Sequence, residues 1–347
     1  MTVGHAGPVR VVFVVVDALP HRWVRPQATP TIHRLGVEGA VAPAGWRGVL
    51  SSNTYPNHAS FVTGVGPEGH RMWVNQVVVD GVPVPASEVG PGVPTLFDRC
   101  AAGGRSSALV VGDQHLVGVM GGRGADVHWP PAGRLPDGVT RSAFGYARDI
   151  EVLAAVDRLD ATDADLLVVQ LDETDTAAHL HGPDGEAARE QYTATDAVLG
   201  ELVARLEDRW DDTVVIVVSD HEQELVTNTE PVTLALDLAA HDVVVVEEGA
   251  VGLVVGPIDI ALVEAVDGVA EVVQVPDGLM VFSEPGRMIA GGPLPLLGIH
   301  GSRRTLTQVA VVGGGHPSVA GVAAVVDGAP RVGTEWSPVI AGLLQLG

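Results

Sequence analysis

Val11-Val12-Phe13-Val14-Val15-Val16-Asp17 is an unbroken run of β-branched and aromatic residues that stops at a carboxylate. Such a run reads as a strand buried on both faces, as inside a parallel sheet. The pattern recurs twice. Residues 165–171 lead into Asp172, Glu173 and Asp175, and residues 213–219 lead into Asp220-His221. Open α/β sheets bind their ligands outside the carboxyl ends of their strands. An unpartnered buried carboxylate is costly, so packing alone does not account for Asp at three such ends.

Working outward, the spacing predicts helices over 31–37 (behind Pro30), 57–63, 95–102, 144–159, 186–208 and 337–346. Further strands are expected over 107–111 and 308–312, and a hairpin around Asp80-Gly81. Residues 227–298 change character, to short Val-rich segments (243–246, 251–255, 271–275, 279–282) around a helix near 258–266. They read as a small α+β insertion, a cap, in a core formed by residues 1–226 and 299–347.

The chain has 347 residues and a net charge of −23, and all 20 of its Lys-plus-Arg residues are Arg. That field repels a nucleic-acid polymer. A small phosphate ester remains admissible, because divalent cations reverse the sign locally. Cys100 is the only cysteine, so no intrachain disulfide is expected. No apolar run reads as a membrane span or a signal peptide, so a cytoplasmic location with no membrane partner is expected.

The chemistry-bearing residues complete the pattern. Thr54-Tyr55-Pro56-Asn57-His58-Ala59-Ser60-Phe61-Val62-Thr63-Gly64 places a hydroxyl just before an expected helix start. Backbone N–H groups at a helix N-terminus attract an anionic phosphoryl group. Asp175 and His179 are four apart, hence on one helix face. With Asp17, Asp220, His221 and His300 they form an Asp/His set that suits two divalent metal ions, zinc first, with manganese or iron as alternatives. Two metals roughly 4 Å apart can hold both oxygens of an in-line displacement. A Thr hydroxyl becomes a competent nucleophile once metal coordination deprotonates it. His181 is a rival to His179, and His316 to His300. Trp46 and Trp73 read as core or as pocket wall, and Asp172 and Glu173 as outlying or solvated carboxylates.

These residues, with Thr63-Gly64, Pro67, His70, Asn75, Thr174-Asp175, Ser219-Asp220-His221 and His300-Gly301, resemble the alkaline phosphatase superfamily, most closely its nucleotide pyrophosphatase/phosphodiesterase branch. The resemblance implies a three-layer α/β sandwich around a mostly parallel sheet. It implies Asp175, His179 and His300 on one metal, Asp17, Asp220 and His221 on the other, and Thr54 as a nucleophile bridging toward both through a phospho-threonine intermediate. It further implies that Asn75 donates to a phosphate oxygen and that Tyr55 lies against a nucleotide base. The expected substrate is a phosphodiester or nucleotide pyrophosphate. Glu173-Thr174-Asp175 departs from the branch's Glu-Pro-Asp, and Asp220-His221-Glu222 from its Asp-His-Gly. A phosphomonoesterase or phosphonate C–P hydrolase on the same site is the alternative; the lysines expected to bind a phosphonate's carboxylate are absent, and Arg would have to substitute for them. A non-catalytic binding protein on a decayed fold is the rival from another class; the complete ligand set argues against it.

Overall fold

The computed structural model describes residues 9–347. A seven-stranded sheet runs in the order Ala40–Val41, Ala310–Gly313, Thr213–Val218, Arg10–Val16, Leu166–Leu171, Ser107–Val111, Val127–Trp129. The strands from Thr213–Val218 to Val127–Trp129 pair in parallel, and Ala310–Gly313 lies antiparallel. Alternation along the first strand builds two cores. Val11, Phe13 and Val15 pack with Phe61, Leu96, Phe97 and Trp336 on one face. Val12, Val14 and Val16 pack with Ile32, Leu35, Leu153, Tyr192 and Leu199 on the other. Helices on both faces complete the three layers, and both faces of the sheet are dry, as the apolar runs require.

Asp80-Gly81 closes a hairpin of Gln76–Val79 and Val82–Pro85, both turn residues with positive φ (50° and 77°), as the twist of a two-residue hairpin demands. Three helices differ from the sequence reading. The one expected over 186–208 ends at Ala204. The helix expected over 144–159 is only Asp149–Arg158. Gly145 at φ 87° and the extended Arg148 keep the preceding residues as a loop. The helix expected from Asn57 begins at Thr54, with Asn53 at its N-cap, so Thr54 is the first helical residue and not the residue before it.

A second, antiparallel sheet is built from Val244–Glu248, Val251–Val255, Gly278–Ser283 and Val269–Val275, with helix Ile260–Glu264. One face, with Leu253, Met280 and Phe282, packs on Trp73 and Val74 of the core. Among the described residues no helix is long and apolar enough to cross a membrane.

Candidate active site

Parallel register brings Asp17, Asp172 and Asp220 to one edge of the sheet, because each follows a strand in hydrogen-bonded contact with the next. Helix Glu173–His181 places Asp175 and His179 one turn apart, His179 Nε2 3.4 Å from Asp175 Oδ2. His300 follows the short strand Gly298–Ile299, with Nε2 4.0 Å from Asp175 Oδ1. Its ring stacks on His221 at 3.9 Å and lies 5.1 Å from that of His179.

Each carboxylate around Thr54 has one oxygen held by the protein. Asp17 Oδ2 accepts from Gln170 Nε2 at 2.8 Å, leaving Oδ1 buried and unpartnered. Asp220 Oδ1 accepts the N–H groups of Ala18 and His221, each at 3.0 Å, leaving Oδ2 unpartnered. Asp175 Oδ1 accepts from Gln223 Nε2 at 2.6 Å. The imidazoles follow the same logic. Nδ1 faces a backbone carbonyl in all three: Glu222 O for His221 (3.2 Å), Gly298 O for His179 (2.7 Å) and Ser52 O for His300 (3.0 Å). A carbonyl can only accept, so Nδ1 carries the proton and Nε2 keeps a free lone pair. Histidines that bind metals are held in this way.

His221 lies between the two sets. Its Nε2 is 3.2 Å from Asp220 Oδ2 and 3.8 Å from Asp17 Oδ1, yet its ligand atom also lies within 4.8 Å of those of Asp175 and His300. Thr54 Oγ1 is 3.2 Å from the same Nε2. The electrostatics match a site built for cations. Burial, then the charges of Asp220, Asp175 and Asp172, holds the Asp17 carboxyl well above the ordinary range. Burial chiefly raises Asp220 to about 8. Burial, then His300 and His179, pushes His221 well below its ordinary value, and burial with His179 lowers His300 to about 4. A divalent ion among them reverses both trends.

The structure draws all six expected ligands and Thr54 together. Asn75 lies beside Tyr55, the neighbour of Thr54, its Oδ1 accepting the Tyr55 N–H at 3.0 Å. Tyr55 is 8% exposed, and its ring sits 6.5 Å from that of His115. His316 takes the Thr213 carbonyl at the start of its strand, the opposite edge of the sheet, and His181 lies at a helix end. Trp46 is core, stacked on Trp336 at 4.0 Å. Trp73 packs against the second sheet. Asp172 is buried, accepting from Thr176 Oγ1 at 3.1 Å, while Glu173 pairs with Arg148.

His58 escaped the sequence reading. Its Nδ1 donates to Thr54 O at 2.9 Å and lies 3.4 Å from Asp220 Oδ2, and its atoms group with Asp17 and Asp220. The available signal was its position four residues after Thr54, on the same helix face. Gln170 also escaped, since nothing local marks a strand Gln as the partner of a distant Asp.

The model for the Type I phosphodiesterase / nucleotide pyrophosphatase family matches residues 11–275. A venom phosphodiesterase from Macrovipera lebetinus is 26% identical over 208 residues, 57% of this chain. That match spans only 23% of the relative's own length. Murine ectonucleotide pyrophosphatase / phosphodiesterase 5, an inactive form in complex with AMP, superposes with TM-score 0.76 at 16% identity, over 98% of this chain and 96% of that one. Phosphonoacetate hydrolase from Sinorhizobium meliloti, in complex with phosphonoformate, gives TM-score 0.72 at 16% identity, over 97% and 96%. At those identities the two structures establish the alkaline-phosphatase-like fold. The family match covers most of the chain, including five of the six expected ligands, all but His300, and on that ground the chain belongs to the Type I phosphodiesterase / nucleotide pyrophosphatase family.

Proposed function

We propose that this chain is a metal-dependent hydrolase of phosphodiester or nucleotide pyrophosphate bonds that works through a phosphorylated Thr54. The observation that carries the reading is the pair of buried, unpartnered oxygens, Asp17 Oδ1 and Asp220 Oδ2, beside imidazoles whose Nδ1 atoms face backbone carbonyls, so that Nε2 is the nitrogen with the lone pair. Two divalent ions fit this donor set. Asp175, His179 and His300 would hold one, and Asp17, Asp220 and His221 the other, with Thr54 between them and His58 behind Asp220. Zinc suits the mixed Asp/His set best, with manganese or iron as alternatives. Such ions would lower the pKa of a bound hydroxyl and offset the charge of the phosphoryl group.

The chain's own residues supply the rest. Thr54 Oγ1 attacks phosphorus, forming an Oγ1–P bond as the bond to the leaving oxygen breaks. Water then attacks the phosphorylated threonine, which still bears the second ester group of a diester, releasing the phosphomonoester and restoring the hydroxyl. The helix N-terminus at Thr54 favours the anionic phosphoryl group, and the Asn75 NH₂ donates to a non-bridging oxygen. The substrate proposed is a small ester or nucleotide, not a polymer.

Thr54→Ala tests the mechanism on metal-loaded protein, with bis-p-nitrophenyl phosphate beside p-nitrophenyl phosphate and phosphonoacetate. Turnover should fall by several orders of magnitude; loss of a nucleophile elsewhere costs about 10⁶. The parent, quenched in acid during turnover of the diester, should carry a p-nitrophenyl phosphoryl group on Thr54 by mass spectrometry. Turnover of the Ala variant within a few-fold of the parent would refute the covalent mechanism. Faster release from the monoester or the phosphonate than from the diester would move the assignment to the alternative substrate classes.

A further inference from the structure

The turn between the first two strands of the inserted sheet reaches the active-site edge. Glu248 ends Val244–Glu248, and Gly249 turns the chain at φ 65° into Val251–Val255. Only glycine fits there, since a Cβ would lie 2.6 Å from the His300 carbonyl oxygen on a left-handed backbone. The Ala250 N–H donates to that carbonyl at 2.7 Å, so the turn is tied to the backbone of an active-site histidine.

From this turn, Glu248 reaches two further site segments with one atom. Its Oε2 accepts Asn53 Nδ2 at 2.9 Å and the Asn75 backbone N–H at 2.7 Å. Asn53 is the N-cap residue immediately before Thr54. Asn75 is therefore gripped at both ends: its N–H by Glu248, its Oδ1 by the Tyr55 N–H. The Asn53 side chain makes no capping hydrogen bond to its own helix, so its contact with Glu248 is what holds it. Among the described residues no Arg pairs with Glu248, although ion pairs cover much of the surface. Burial accordingly pushes its carboxyl up to about 7. A carboxylate without a counter-charge, in a chain already at −23, is a poor choice for packing alone.

We propose that Glu248 is a positioning residue, supplied by the inserted segment, that sets Thr54 and Asn75 in register with each other. Its Oε2 is the common point from which the nucleophile's N-cap and the phosphate-facing Asn are hung. The inference rests on the function proposed above and adds a residue of the inserted segment to it. Because both donors meet a single oxygen, an amide carbonyl at the same place can accept both.

The test compares Glu248→Ala and Glu248→Gln with the parent in the full-length, metal-loaded chain, measuring kcat, KM, bound metal and Tm. Glu248→Ala should lower kcat about 10- to 100-fold, the scale of an ångström-sized misplacement of a reacting group. KM should change far less, and metal content should match the parent, since the Glu248 carboxylate hydrogen-bonds to none of the six Asp and His side chains. Glu248→Gln should recover kcat to within a few-fold. A purely structural role would lower Tm in both variants without that split or that rescue. The inference is overturned if kcat of Glu248→Ala stays within two-fold of the parent, or if Glu248→Gln is as slow as Glu248→Ala. Should Glu248→Ala fail to fold, Asn53→Ala replaces it: about a tenfold fall in kcat supports the inference, and an unchanged kcat overturns it. Thr54→Ala is assayed beside them. An active Thr54→Ala sinks the covalent reading, whereas a dead one beside an undiminished Glu248→Ala sinks only the positioning role of Glu248.

Discussion

Gln170→Leu should weaken the protein at two separable levels. Gln170 is fully buried near the end of Leu166–Leu171, and its amide joins three segments. Nε2 donates to Asp17 Oδ2 at 2.8 Å and more weakly to Asp172 Oδ1 at 3.4 Å. Oε1 accepts the N–H groups of Gly112 and Asp113, at 2.9 and 3.0 Å. Leucine has nearly the same volume, so the change removes the hydrogen bonds and leaves little cavity. The Gly112 N–H keeps a second acceptor, the Gln170 carbonyl at 3.1 Å. The Asp113 N–H and Asp17 Oδ2 do not. Each orphaned buried group costs about 1–3 kcal/mol, so metal-free protein should lose roughly 2–6 kcal/mol of stability, less a small gain from the apolar side chain. The second level is metal affinity. With Oδ2 released, Asp17 can turn its free oxygen away from the site, and losing such a supporting hydrogen bond typically costs about 10- to 100-fold in affinity. Urea unfolding of chelator-stripped protein reads the first level, and competition with a chromogenic chelator reads the second. A change under about 0.5 kcal/mol, the range of an indifferent surface substitution, with unchanged chelator midpoints, would refute the assignment.

Two further predictions concern groups away from the ligands. Met72 N–H donates to His70 Nδ1, so the proton sits on Nε2, facing Ser60 Oγ at 3.0 Å, and burial lowers the pKa from 6.5 to about 4. The unfolded chain takes up this proton first as pH falls, so the stability is whole above about pH 6.5 and drains away toward about pH 4, by on the order of 3 kcal/mol. Urea midpoints across that window should therefore fall more steeply for the parent than for His70→Gln, and parallel slopes would contradict the argument. Cys100 is buried and its thiol is pushed up to about 11, chiefly by burial. A disulfide reagent at about pH 8 should label it only upon unfolding, and labelling of native protein at a free-thiol rate would count against this.

The parts of the site that announce themselves in the sequence are those bound to secondary-structure period. Asp17 and Asp220 are legible because an apolar strand stops at each, and Asp175 and His179 because a helical turn has a fixed length. Residues 144–148 read as helix because the apolar and aromatic spacing continues through Gly145, whose positive φ breaks it. Gln170 and Glu248 carry no such signature. Gln170 meets Asp17 across 153 residues, and Glu248 meets Asn53 across 195. Their meaning is a hydrogen-bond direction, set by topology, and single-chain periodicity holds no record of it. Thr54 stands between the two cases. Its motif was legible, but its place as first helical residue was set by Asn53 taking the extended N-cap conformation (φ −90°, ψ 158°).

Charge ties these observations together. The arginines that come near the site face outward and are spent on exposed or half-buried acids: Arg22 on Glu222 and Asp184, Arg148 on Glu173. Among the described residues no arginine pairs with Asp17, Asp175 or Asp220; their near neighbours are His58, His179, His221 and His300. Those imidazoles are held neutral by burial where a shift is resolved, at about 4 for His58 and His300 and well below the ordinary value for His221. Among the described residues no fixed cationic side chain therefore pairs with these carboxylates, and none is placed to offset an incoming phosphate. Under the proposed function both deficits are met by the same divalent charge, so metal loading, folding stability and substrate binding become linked. Under that proposal a chain without a single lysine would bind a phosphate ester in this way, and its strongly negative net charge would favour small substrates over polymers.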